Sequence, residues 1–237
     1  MGVIGYNCPV ARATDVYIET GTTRVFASAA DWPGWSRTAK TEEDALRALA
    51  DYGERYAAVV RRRFEGFTPP GDPSDLRVVE RVKGNATTDF GAPGVAASGE
   101  DAAMTPADAE RRVDALRACW AALDRAARRA QGVILTKGPR GGGRDLEPII
   151  LHVADAEAAY VHRIGGTVRL PRDMELTARV RATRKLVVDT VDARIRGEPP
   201  PDNPRQTAPL WSPRYFIRRT AWHALDHAWE IEDRSAR

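Results

Sequence analysis

The chain carries four histidines in 237 residues. Two of them, His223 and His227, stand four positions apart near the C-terminal end. On a helix four residues bring a side chain back to within about 40° of its starting direction, so both imidazoles leave one face. That spacing suits two ligands of one metal ion. Glu230 falls about 20° off the same line and Arg219 about 40° off it. Ile217, Ala221, Ala224, Ala228 and Ile231 lie to one side of this stripe, and Trp222 and Trp229 to the other. Arg214, Arg218 and Glu232 lie opposite, with Leu225 the exception among them. The histidines therefore run down the middle of an expected buried face. Two neutral imidazoles and a carboxylate without partners in a core cost several kcal/mol, and a divalent cation is an economical way to complete them. His152, set between Ile149-Ile150-Leu151 and Val153-Ala154, is the natural third ligand. His162 is rotated about 80° from His152 on an ideal helix and reads as a rim residue. Spacing alone leaves a hydrogen-bonded histidine pair as the alternative. A protease-type zinc motif is excluded, because Ala224 stands where its glutamate belongs.

Four long helical stretches must position these residues. Thr105-Pro106 is an N-cap followed by proline at the first helical position, opening a helix to about Gln131. Further helices are expected from about Asp145 to Arg163, from about Asp173 to Arg196, and from Ser212-Pro213 to about Asp233. Helices of five to seven turns joined this way make a four-helix bundle over residues 105–237. Before them comes a β-rich part. Val16 to Thr20 and Arg24 to Ser28 flank a Gly21-Thr22 turn, which predicts a hairpin. A third strand follows over Ser36 to Ala39, then a helix from Thr41 to about Phe64, stopped by Pro69-Pro70-Gly71. Leu76 to Val82 gives a fourth strand. The expected fold class is thus α+β: a βββαβ module over 1–83, a linker over 84–104 rich in Gly, Ala, Ser, Asp and Pro, and the bundle.

Two resemblances add to this reading. The stretch from Phe216 to Arg234, centred on Trp222-His223-Ala224-Leu225-Asp226-His227-Ala228-Trp229-Glu230, resembles the last helix of DinB-like proteins. Ile150-Leu151-His152-Val153-Ala154-Asp155-Ala156-Glu157 resembles that family's second helix with its single histidine. The resemblance implies a bundle holding Zn²⁺, Ni²⁺ or a similar ion (Mn²⁺ or Fe²⁺ among them) by three histidines, with water at an open position. His152, His223 and His227 match those ligand positions. It further implies a thiol-dependent S-transferase with a low-molecular-weight thiol as co-substrate, since characterised members include such enzymes and a thiol-dependent maleylpyruvate isomerase. In that reading Glu230 orients His227 or takes a proton, and Arg219 anchors an anionic group of a small-molecule substrate. Metal-assisted hydrolysis or isomerisation fits the same residues, and a non-catalytic regulator with a structural metal is the reading from another class. The first half is similar to the HicB-like antitoxin module through Phe26 to Gly34 and Thr41-Glu42-Glu43-Asp44-Ala45-Leu46, with Asp44 as a one-residue departure. No DNA-binding tail follows, so a stabilising or homodimerising accessory module is expected.

The remaining signals are weaker. Gly138 to Arg144 is glycine-rich but lacks the ending of a P-loop. It reads as a flexible loop; a second reading has it overhang the open metal position, with Arg140 or Arg144 gripping a carboxylate. Cys119 reads as core packing, and two cysteines, Cys8 and Cys119, exclude a disulfide framework. Residues 1–103 hold 12 basic against 15 acidic side chains, and residues 104–237 hold 24 against 18. An acidic first half and a mildly basic second half argue against nucleic acid and allow a small anionic ligand. No leader-like opening and no apolar run near the ~20 residues of a membrane span are present, so a cytoplasmic protein without membrane contact is expected.

Overall fold

A computed structural model describes residues 13–64, 67–137, 143–202 and 208–236. Arg140 and Cys8 lie outside the described residues. Strands β1 (Thr14–Thr20), β2 (Val25–Ala29), β3 (Ser36–Ala39) and β4 (Leu76–Lys83) form one sheet in the order β3-β2-β1-β4. The expected hairpin is there, with Val16 opposite Ala29 and Thr20 opposite Val25. β4 runs parallel to β1. A parallel pair needs a long crossover, which α1 (Glu42–Asp51) and α2 (Gly53–Val60) supply. The sequence suggests one helix there, but the chain bends at Tyr52 (φ −87°, ψ 2°). Gly53, a poor helix former, follows at that point.

The second half is a packed bundle of α4 (Pro106–Arg129), α5 (Leu146–Arg163), α6 (Leu176–Ile195) and α7 (Pro213–Ser235). The proposed caps are in place: Thr105 accepts from the Asp108 amide and Ser212 from the Tyr215 amide. α6 starts three residues later than Asp173, because the Glu175 carboxylate caps the amides of Thr177 and Ala178. No helix among the described residues is long and apolar enough to cross a membrane.

The sheet and the bundle share one core, which runs from Val16 and Leu49 through Cys119 and Leu123 to Ile217 and Leu225. The turn Trp32-Pro33-Gly34-Trp35 enters between α4 and α7. Gly34 sits at φ +95°, and a Cβ there would meet Cys119 Sγ at 2.7 Å; only glycine combines that backbone with so close an approach. Tyr56 stacks on Trp35 at 5.3 Å and donates its hydroxyl to the Pro33 carbonyl at 2.9 Å. Phe26 meets Trp222 edge-on at 6.1 Å, and Tyr52 meets Trp229 at 5.0 Å.

Residues 84–104 are docked against both halves. They form α3 (Ala86–Phe90) and a 3-10 turn at Ser98–Asp101. Buried Glu19 of β1 accepts from the amides of Gly94 (2.8 Å) and Val95 (3.2 Å) and from the Thr88 hydroxyl. Glu100 pairs with Arg218 of α7. Arg218, which helical periodicity assigns to the side opposite the buried face, is consequently buried too. α7 has bundle on one side and sheet on the other, so both of its faces are interior.

Candidate functional site

α5 contributes His152 and α7 contributes His223 and His227, and the fold brings all three together. The ring centroids lie 5.0 Å apart for His152 and His223, 5.1 Å for His152 and His227, and 4.7 Å for His223 and His227. One nitrogen from each lies within 4.8 Å of the others. Modest ring movement brings such donors to the about 2.0–2.1 Å that an imidazole keeps from zinc. His162 is exposed and bonds the Gly166 carbonyl, well apart from the cluster.

The protonation chemistry of the cluster favours a cation. Burial pushes the pKa of His223 well below the usual histidine range, and the charges of His227 and Arg219 push it further. His152 is lowered as well, first by burial and then by His227 and Arg144. Both rings are therefore neutral near pH 7 and carry a free lone pair. Nδ1 of His223 is buried with no hydrogen-bond partner, which is costly unless something completes it.

Glu230 fixes the third ring. Its Oε2 lies 2.7 Å from His227 Nδ1, and its Oε1 lies 2.7 Å from Arg234 Nη1. The bond with His227 is the largest of the effects holding the Glu230 carboxyl below its usual pKa. An ionised carboxylate can only accept, so His227 Nδ1 donates to it, which leaves Nε2 as the ring nitrogen available to a metal. This carboxylate–histidine arrangement is the usual orienting device behind a metal-binding imidazole. Arg234 is itself tied down, donating Nε to the Thr136 carbonyl at 2.7 Å while the Thr136 amide bonds back at 3.0 Å. Gly143 crosses directly over Arg234; at φ +142° a Cβ would meet its Nη2 at 2.6 Å.

Arg144 follows that glycine and lines the mouth of a cleft of ≈ 680 Å³ beside His152, with Leu151, Arg172 and Met174 among the walls. Arg179 on the same cleft is held by Asp155 at 2.7 Å. Arg219 lies buried on α7, one helical turn before His223. Its Cζ sits 4.6 Å from the Trp222 ring centre and 5.2 Å from that of Tyr160, and its Nη1 has no hydrogen-bond partner. Cys119 is buried and its thiol pKa is raised by that burial, in keeping with a packing role.

Sequence reasoning missed Tyr160 and Glu157. Tyr160 stands 6.0 Å from His223 between Arg219 and the cluster. Glu157 is buried and accepts from Trp120 Nε1 at 2.6 Å. Its place on the stripe Ile149, Val153, Glu157 and Val161, each four residues apart, was a readable signal of burial.

Comparison with models of known protein families, with curated proteins and with solved structures finds no match.

Proposed function

We propose that the chain is a metal-dependent enzyme of the DinB-like kind, with thiol-dependent S-transfer as its reaction class. The observation carrying this reading is the three-histidine cluster with its one buried, partnerless nitrogen. The family and the reaction rest on the resemblance of α5 and α7. His152, His223 and His227 would hold a divalent ion, Zn²⁺ or Ni²⁺ by donor chemistry. Such an ion, when bound, supplies a Lewis acid that lowers the pKa of a thiol or water. The chain's own residues do the rest. Glu230 holds the proton on His227 Nδ1 and keeps Nε2 turned to the cluster. Arg144 puts positive charge at the mouth, where an anionic substrate would enter. The neighbouring Leu151 and Met174 offer apolar surface to the remainder of a small molecule.

The test is metal content by plasma mass spectrometry on untagged protein, beside His223→Ala. Near-stoichiometric metal in the parent and none in the variant is the expected result. A folded, metal-free parent that takes up no Zn²⁺, Ni²⁺ or Mn²⁺ would overturn the proposal. A metal that only staples α5 to α7 is the second reading, favoured by the cluster's span across two helices. It predicts that removal of the metal melts the bundle and that no thiol or substrate binds.

A further inference from the structure

Arg219 is 7% exposed, and no carboxylate among the described residues pairs with it. Nearby acids are engaged elsewhere. Glu100 holds Arg218, Glu230 holds His227 and Arg234, and Glu157 accepts from Trp120 Nε1. What Arg219 has instead are the faces of Trp222 and Tyr160 and a hydrogen bond to the neutral Tyr160 hydroxyl. A cation over two rings gains roughly 2 kcal/mol when desolvated, whereas burying a lone charge costs several. The guanidinium is thus incompletely compensated. One helical turn separates it from His223 on the same side of α7, close enough for its charge to be felt at that imidazole.

A divalent ion on the three histidines would worsen this imbalance. It would add two positive charges next to one that is already unpaired, and the Glu230 carboxylate is cancelled by Arg234. A bound anion removes the difficulty. We infer that Arg219, with Tyr160 beside it, is the seat of a small carboxylate that binds together with the metal, so that the substrate or co-substrate enters this site carboxylate first. Planar carboxylates match the guanidinium fork, and the Tyr160 hydroxyl is a donor next to it. The inference rests on the metal reading above. Binding of the two must be mutually favourable, since coupling between sites is reciprocal.

The experiment measures Zn²⁺ affinity of the full chain by chelator competition, in acetate and in acetamide with perchlorate at matched ionic strength, corrected for acetate complexation in solution. Acetate should tighten Zn²⁺ binding about fivefold or more, the low end of ordinary site–site coupling, and acetamide should not. Arg219→Met should bind Zn²⁺ more tightly than the parent without acetate and lose the acetate response. Arg219→Lys should keep part of that response, and serves as well if the methionine variant folds poorly. Equal parent affinity with and without acetate overturns the inference, and so does an undiminished acetate response in Arg219→Met. A parent that binds no Zn²⁺ at all sinks the metal reading itself.

Discussion

Arg218 and Arg219 follow one another on α7 and are both withdrawn from water, at 2% and 7% exposure. Arg218 faces the sheet. It meets both oxygens of Glu100 and the Val95 carbonyl, and lies 4.9 Å from the ring centres of Tyr17 and Tyr215. Arg219 faces the bundle interior, where it has two aromatic faces and no acid. The same division runs through the polar groups around them. On the sheet side, buried Glu19 is met by two amides and a hydroxyl; on the histidine side, His223 Nδ1 has no partner. Leftover atoms occur on the sheet side too, Arg218 Nη1 and the Tyr17 hydroxyl among them, but its buried charges, Arg218 and Glu19, are both met by bonds. Native interiors tolerate few bare polar atoms without a reason. The charges of the sheet side are therefore compensated on folding, whereas Arg219 and His223 on the histidine side await what binds there.

The largest effect separates the two arginines directly. Arg218→Ala leaves the largely buried Glu100, whose side chain is 12% exposed, without its cation, and breaking a buried pair of this kind costs up to about 3–5 kcal/mol. Arg219→Met removes a charge that had no acid and puts an apolar chain between two rings, so it should leave stability unchanged or raise it. Urea unfolding of both variants in metal-free buffer measures this. Equal losses in the two would erase the distinction between the sides.

Glu157 tests the contrast inside the bundle. Burial pushes its pKa up from the ordinary 4.5 to about 7, against the opposing pull of Arg184 and Trp120. Between pH 4.5 and about 7 the folded chain holds a proton that the unfolded chain has released. Stability is then full below about 4.5 and falls as pH rises to about 7, by roughly 3 kcal/mol, levelling off above. Glu157→Gln keeps an acceptor for Trp120 and abolishes the titration. It should flatten this part of the profile and exceed the parent in stability at pH 8. Urea midpoints across pH 4.5–8 decide; an unchanged slope in the variant would show that Glu157 is not the group.

Legibility in the sequence followed the same divide. His223, His227 and Glu230 could be read together because one helix carries all three, and its period of 3.6 residues fixes their relative directions. His152 was reachable through its apolar flanks. The caps at Thr105 and Ser212 and the β1–β2 hairpin were equally plain, since each is set by a few adjacent residues. What could not be read was whatever α7 touches on its second side. Arg218 is buried by the sheet and by residues 84–104, which lie more than 100 positions away, and a one-face periodicity test assumes that the other face meets water. The compensation of Glu19 by Gly94 and Val95 depends on tertiary contacts in the same way. Arg219 was found by its angle to the histidines, but its lack of an acid emerges only when every neighbouring carboxylate has been placed.

The smallest effect asks whether the histidine side is tuned as well as open. Glu230 accepts the His227 Nδ1 proton and spends its other oxygen on Arg234. In Glu230→Gln an amide replaces the carboxylate: the hydrogen bond to Nδ1 can survive through the amide oxygen, but the negative charge that makes Nε2 a better donor is gone. Loss of such an orienting partner ordinarily lowers metal affinity about 10–100-fold, or about 1.4–2.7 kcal/mol. Metal-free stability should change less than that, because Arg234 keeps the Thr136 carbonyl and the Thr136 amide still returns to α7. Chelator competition for Zn²⁺, run beside urea unfolding without metal, separates the two quantities. A variant that loses stability but binds Zn²⁺ as the parent does would make Glu230 part of the closed framework, and the boundary between the two sides of α7 would then have to be drawn between His227 and Glu230.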